Sequence, residues 1–178
     1  IMRVFPKWAE ALGIRAVIKG FDFAQHSDGA LYRDCVEFIK NDPLSMGALV
    51  TTHKIDLLNS CRDLFDELDP YALQLGEISC ISKRNGKLRG HAKDPISSGL
   101  ALEHFVPKNF WAEHSGECLL LGAGGASLAM SVYFAQEKSG LDVPGKITIT
   151  NRSLPRLESA RKILQGMSDR VKFAFVHN

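Results

Sequence analysis

A fully apolar run, Cys118–Leu121, breaks directly into Gly-Ala-Gly-Gly-Ala-Ser at 122–127 and then into a helix-forming stretch that reaches Lys138. Few local patterns confine a chain so tightly. A short apolar strand, a glycine turn and a helix opening at once from that turn form the first half of a βαβ unit. The alternation continues, with KITITN reading as a strand, LPRLESARKIL as a helix and VKFAFV as a last strand. Residues from 118 onward therefore predict βαβαβ order, a parallel sheet and right-handed crossovers. A doubly wound sheet of this kind ordinarily has about six strands. Three strands here, and an opening segment that reads as the middle of a helix, lead us to expect further residues in the intact protein at both ends.

The first half is built differently. WAEALGI reads as the end of a helix stopped by Gly13, and AVIKGFDF alternates as a strand would, with Val17, Ile18, Phe21 and Phe23 as its apolar positions. DGALYRDCVEFIKND predicts a helix with Leu31, Cys35, Phe38 and Ile39 on one face, and SMGALVTT a short strand. From Lys54, the apolar residues Leu57, Leu58, Cys61, Leu64, Phe65 and Leu68 recur at helical spacing until Pro70 ends the pattern. EISCISKRNGKLRGHAKD brackets Asn85-Gly86, a dipeptide suited to positive φ at both centres of a tight hairpin turn. Small and apolar residues over 96–105 suit a closely packed helix, and Pro107 and Gly116 punctuate a linker. The expected fold class is α/β: an N-terminal α/β domain over residues 1–103, then a Rossmann-type parallel-sheet domain, incomplete, over 104–178.

Composition narrows the partners. With 178 residues, 45% hydrophobic, 24% charged and a net charge of +2, the chain can bury a core and lacks the basic excess that would hold nucleic acid or an acidic membrane. No apolar run approaches the roughly 20 residues that cross a bilayer, and the opening lacks a signal-peptide core, so a cytoplasmic protein is expected. Cys35, Cys61, Cys80 and Cys118 stand far apart and read as buried thiols. Six scattered histidines form no ligand pair, so no metal is expected; His53 and His91 lie beside the segments of interest but receive no role.

In the glycine segment, Gly122, Gly124 and Ser127 occupy the three positions of GxGxxG in the required strand-to-helix context. Gly122 permits the tight turn, Gly124 lets backbone approach a pyrophosphate, and the helix beyond presents free amides and the positive end of its dipole. Gly122, Ala123, Gly124, Gly125 and Ala126 are thus the candidate dinucleotide contacts. At the end of the next strand, where an acidic residue would select NAD, the chain has Asn151, Arg152 and Ser153, with Arg156 one turn on. Two arginines and a hydroxyl suit a 2′-phosphate, so the expected cofactor is NADP.

Four segments in order give the chain a resemblance to the shikimate/quinate dehydrogenase family over nearly its whole length. GALVTTHK resembles that family's GxNVTxPxK, ISCISKRNGKLRGHAKD its VNTxxxxxGxxxGxNTD, LLLGAGGAS its glycine loop, and ITNRSLPR its NRTxxR phosphate-binding segment. The resemblance implies a catalytic Lys54 and Asp94, a small-molecule substrate, and hydride exchange between a secondary alcohol and NADP, with Thr51, Ser79 and Lys93 as the polar groups left to line an altered substrate pocket. It leaves oligomeric state open, with a homodimer as one option. Departures are as definite as the matches: Leu49 and Ser79 stand where the family has substrate-binding asparagines, Ala92-Lys93 replaces Asn-Thr, and Pro95 stands for a usual glycine. Fewer polar partners predict weaker recognition of a ring bearing three hydroxyls. A non-catalytic nucleotide-sensing module and one domain of a multifunctional polypeptide are the alternatives.

Overall fold

The computed structural model describes residues 1–136 and 142–178. Two sheets organise them. The first contains β1 (Gly47–Leu49), β2 (Glu67–Leu68), β3 (Cys80–Arg84) and β4 (Lys87–His91), in the order β1-β3-β4-β2. The β3–β4 hairpin is antiparallel and pairs Cys80 with His91 through to Arg84 with Lys87. Its turn holds Asn85 at φ 52° and Gly86 at φ 74°, the conformation expected of that dipeptide. The same half of the chain carries α1 (Phe5–Ala11), α2 (Gly29–Asn41), α3 (Lys54–Cys61) and α4 (Pro70–Leu75). Tyr32, Val36 and Ile39 of α2 and Leu57, Leu58 and Cys61 of α3 are buried with Ile78, Ile81 and Leu88.

Three expectations in this half are corrected. No described strand pairs with residues 17–23, and Val17 is 85% exposed; alternation alone makes no strand where no neighbouring edge takes up the backbone hydrogen bonds. On α2 the buried face is turned from the expected one, since Leu31 and Phe38 are exposed while Tyr32 is fully buried. Tyr32 tolerates burial because its hydroxyl shares a 2.9 Å hydrogen bond with His53 Nδ1, and Phe38 lies beside the Phe21 ring instead. Finally, the helix read from Lys54 to Pro70 stops at Cys61, gives way to a 3-10 turn at Arg62–Leu64 and then to β2. Pro70 opens α4 rather than closing a helix, because a proline near a helix start forfeits only an amide that has no partner there.

Asp69 holds this rearranged stretch to the hairpin. Its Oδ1 accepts hydrogen bonds from the amides of Ala72 and Ala92, and its Oδ2 from Lys93 Nζ at 2.9 Å. Burial works to raise the carboxyl's pKa, but Lys93 and the two amides outweigh it and hold it below the ordinary range. Asp69→Ala should therefore lower unfolding stability by about 2 kcal/mol. In the native protein that contribution is present above the unfolded carboxylate pKa and disappears as pH falls through the lower folded value. Urea melts from neutral to acid pH check both statements; a variant as stable as the parent at neutral pH would refute them.

The second sheet is parallel, with β5 (Glu117–Leu121), β6 (Lys146–Asn151) and β7 (Lys172–His177) in that order. The connections are α7 (Gly125–Ala135) and α8 (Leu154–Leu164), so the βαβαβ expectation holds. The glycine turn is shorter than expected, since α7 begins at Gly125 rather than Ser127; the portion expected at 137–138 lies outside the described residues. Leu120, Ile147 and Ile149 are buried with Leu157, Ala160 and Leu164 of α8, whereas Leu119 and Leu121 are 61% and 82% exposed on the other face. Between the sheets run α5 (Asp94–Glu103) and α6 (Phe110–His114), and α5 packs along α7. No helix among the described residues is long and apolar enough to cross a membrane.

Candidate active site

Lys54 and Asp94 each begin a helix. Lys54 opens α3 directly after the short connection from β1, and its carbonyl accepts the amide of Ile78 at 3.3 Å. The preceding His53 is pinned by Tyr32 and by edge contact with Phe23, which accounts for that histidine through packing. A cation at a helix start opposes the helix dipole, so α3 does not explain a lysine there. Asp94 opens α5, where its charge suits the dipole, and Pro95 follows it. The two helices bring these side chains together: Lys54 Nζ donates a hydrogen bond to Asp94 Oδ2 although 40 residues separate them. Their side chains are 22% and 26% exposed, leaving the pair open to a solute.

The other residues expected at this site divide. Ser79 is buried, and its Oγ accepts the Lys93 amide at 2.8 Å and lies 3.4 Å from the His91 carbonyl, so it fixes the bend that leads to Asp94. Thr51 lies exposed in the β1–α3 connection; the neighbouring Val50 amide donates to the Ser79 carbonyl. His91 shares a 2.8 Å hydrogen bond with Ser82 within the hairpin and stands 3.5 Å from Asp69 at the start of α4. Glu77 was not anticipated. It is only 5% exposed, its Oε1 has no hydrogen-bond partner, and it sits among the charges of Lys54 and Asp94. A single carboxylate between the apolar Leu75 and Ile78 was the available signal.

At the glycine loop, Gly122 adopts φ 118° and donates its amide to the Thr150 carbonyl at 2.8 Å, tying the loop to the end of β6. That φ is in the region glycine favours. A Cβ placed on Gly122 or on Gly124 would meet nothing within 4 Å, and no side chain caps the start of α7. The loop therefore offers open space in front of unshared helix amides, an arrangement that suits an anion. Ala123 is buried, so it can face a ligand only through its main chain, whereas Ala126 is exposed. Beyond β6, Asn151 Oδ1 accepts the Ser153 amide at 2.9 Å and shapes the entry to α8. Arg152 and Arg156 are exposed there, and neither is in an ion pair with a described residue. Among the described residues no three His, Cys, Asp or Glu side chains are grouped as a metal site would need.

No protein-family model matches the chain. A Bacillus cereus protein named shikimate dehydrogenase (NADP(+)) is 33% identical over 108 residues, which are 61% of this chain and 35% of the relative. A Bacillus cytotoxicus protein of the same name is 30% identical over 162 residues, 91% of this chain and 52% of the relative. Over these stretches the chain is similar to the shikimate dehydrogenases. It spans about half the length of the second relative and about a third of the first. The fold agrees: shikimate 5-dehydrogenase from Listeria monocytogenes, solved with shikimate and NAD, superposes with a TM-score of 0.71 at 22% identity, covering 98% of this chain and 56% of that one. A 5-ketofructose reductase of Gluconobacter superposes with a TM-score of 0.72, also at 22% identity, over 99% of this chain and 57% of its own. Proteins of this fold thus carry names with different substrates.

Proposed function

We propose that the chain carries the catalytic pair and dinucleotide loop of an NADP-dependent oxidoreductase of the shikimate/quinate dehydrogenase type, acting between a secondary alcohol of a hydroxylated ring acid and its ketone. In this reading residues 1–103 bind substrate and residues 104–178 bind the dinucleotide. The observation that carries it is the Lys54–Asp94 ion pair, formed across two helix starts and partly open to solvent. When bound, the nicotinamide supplies the hydride-accepting and hydride-donating chemistry. The protein's part is the proton: Lys54 takes the proton that the carbinol oxygen loses and returns it in the reverse direction, while Asp94 keeps the amine aimed. Gly122, Gly124 and the first amides of α7 fit a pyrophosphate, and Arg152, Ser153 and Arg156 fit a 2′-phosphate.

Titration of NADP+ into the protein, followed by a screen for NADPH formation with shikimate, quinate and related hydroxy acids, tests the proposal. Binding with turnover supports it, and absence of binding reduces the glycine loop to a turn. Binding without turnover favours a second reading, a nucleotide-sensing module. What favours that reading is the engagement of the Ser79 hydroxyl by the Lys93 amide and the complete burial of Ala92, at positions where the family places polar partners. For cofactor choice, Arg152→Ala should weaken NADP+ binding about tenfold while changing NAD+ binding less than twofold. Equal losses for both dinucleotides would remove the phosphate role.

A further inference from the structure

Glu77 is the only buried charged residue among the described residues. It lies between α4 and β3, where Gly76 at φ 64° caps α4 and turns the chain inward. Its carboxyl faces the start of α7: Oε2 is 3.3 Å and Oε1 3.7 Å from where a Cβ on Gly125 would stand. Lys54 on α3 and Asp94 on α5 are the charges that act on it, in opposite senses, and on α7 the carboxyl meets Gly125, which carries no side chain. Because those two charges are paired with each other, they leave little net field at Glu77. Burial decides the balance and pushes the Glu77 carboxyl above the ordinary range, with Oε1 unpartnered.

One end of α7 is therefore faced by a buried carboxyl on its inner side and by open space at Gly122 and Gly124. A helix start favours a single negative group, and a second anion of like sign close by opposes the first in an interior of low dielectric. We propose that Glu77 makes dinucleotide binding at the glycine loop proton-coupled: the neutral carboxyl admits a pyrophosphate at the start of α7, and the ionised carboxylate opposes it. The inference rests on the reading of this loop as a dinucleotide site. It assigns Glu77 a regulatory part in binding rather than a place among the groups that touch the reacting atoms.

The test is calorimetric titration of the protein with NADP+ from acid through alkaline pH, in paired buffers of different ionisation enthalpy, for the parent and for Glu77→Gln. The parent should take up protons on binding, and its affinity should fall by up to about tenfold per pH unit once Glu77 ionises in the free protein. Glu77→Gln should bind at the parent's low-pH affinity throughout and lose that part of the proton uptake, leaving only the titration of the 2′-phosphate itself. Glu77→Met, of similar size and also neutral, should behave alike and serves if the glutamine variant folds poorly. Stability gives an independent readout. A carboxyl raised in the folded state contributes fully below its unfolded pKa, and that contribution is lost as pH rises through the folded value, so both variants should gain stability over the parent as pH rises through that range. Binding with equal proton uptake in parent and variants overturns this inference alone; no NADP+ binding in any of them overturns the dinucleotide reading and the inference with it.

Discussion

Lys54→Ala should lower kcat for NADP+-dependent alcohol oxidation by about 10³-fold and leave NADP+ affinity within about threefold of the parent. The expected split follows from where the lysine stands. Its main chain is held by the Ile78 amide, and the residue before it is fixed by Tyr32, so truncation removes the amine without unseating α3. The glycine loop belongs to the other sheet and keeps its tie to Thr150. Asp94→Asn should reduce kcat less, because an amide oxygen still accepts a hydrogen bond from the amine but loses the charge that orients it. NADPH formation measured at saturating substrate, beside NADP+ titration, separates the two effects. Turnover unchanged in Lys54→Ala would remove the lysine from the chemistry, and a parallel loss of NADP+ binding would show a structural role instead.

What the sequence made legible was local. Asn85-Gly86 specifies its own turn, which was found where expected, and the strand–glycine–helix passage from 118 specifies its own crossover, with α7 opening two residues earlier than read. What escaped depended on remote neighbours. Val17 and Phe21 have the composition of a strand but no described strand to pair with. Tyr32 took the buried face of α2 because a histidine 21 residues away satisfies its hydroxyl. Pro70 could end one helix or begin another, and Asp69 decided it by capping α4. At the site, the resemblance located Lys54 and Asp94 and the fold joined them. Ser79 and Glu77 could not be read in the same way, since a residue name does not reveal whether a hydroxyl is spent on the backbone or a carboxylate is left unpaired.

The other large effect should come from Gly99, which is not a catalytic candidate. A Cβ there would lie 2.2 Å from Cδ2 and Cε2 and 2.4 Å from Cγ of Tyr133, so the tyrosine ring rests directly on the bare face of α5. The ring is tied at its far end, where its hydroxyl donates a hydrogen bond to Glu103 of the same helix α5. Burial first, and the hydrogen bond its hydroxyl donates to Glu103 second, push the Tyr133 phenol up to about 12. Gly99→Val should accordingly destabilise the protein by about 3 kcal/mol, as overpacking does, whereas Gly99→Ala should lose less because alanine regains helix propensity. The consequence reaches the site through geometry. α5 begins with Asp94 and α7 with the glycine loop, so forcing the helices apart displaces one half of the candidate site from the other. Adding Tyr133→Ala to Gly99→Val should recover part of the lost stability, because the truncated ring leaves room for the valine. That recovery is the signature of a shared contact rather than two independent faults. Additive losses in the double variant would place the damage in α5 alone, and a Gly99→Val protein as stable as the parent would mean that the two helices do not meet as closely as the glycine requires.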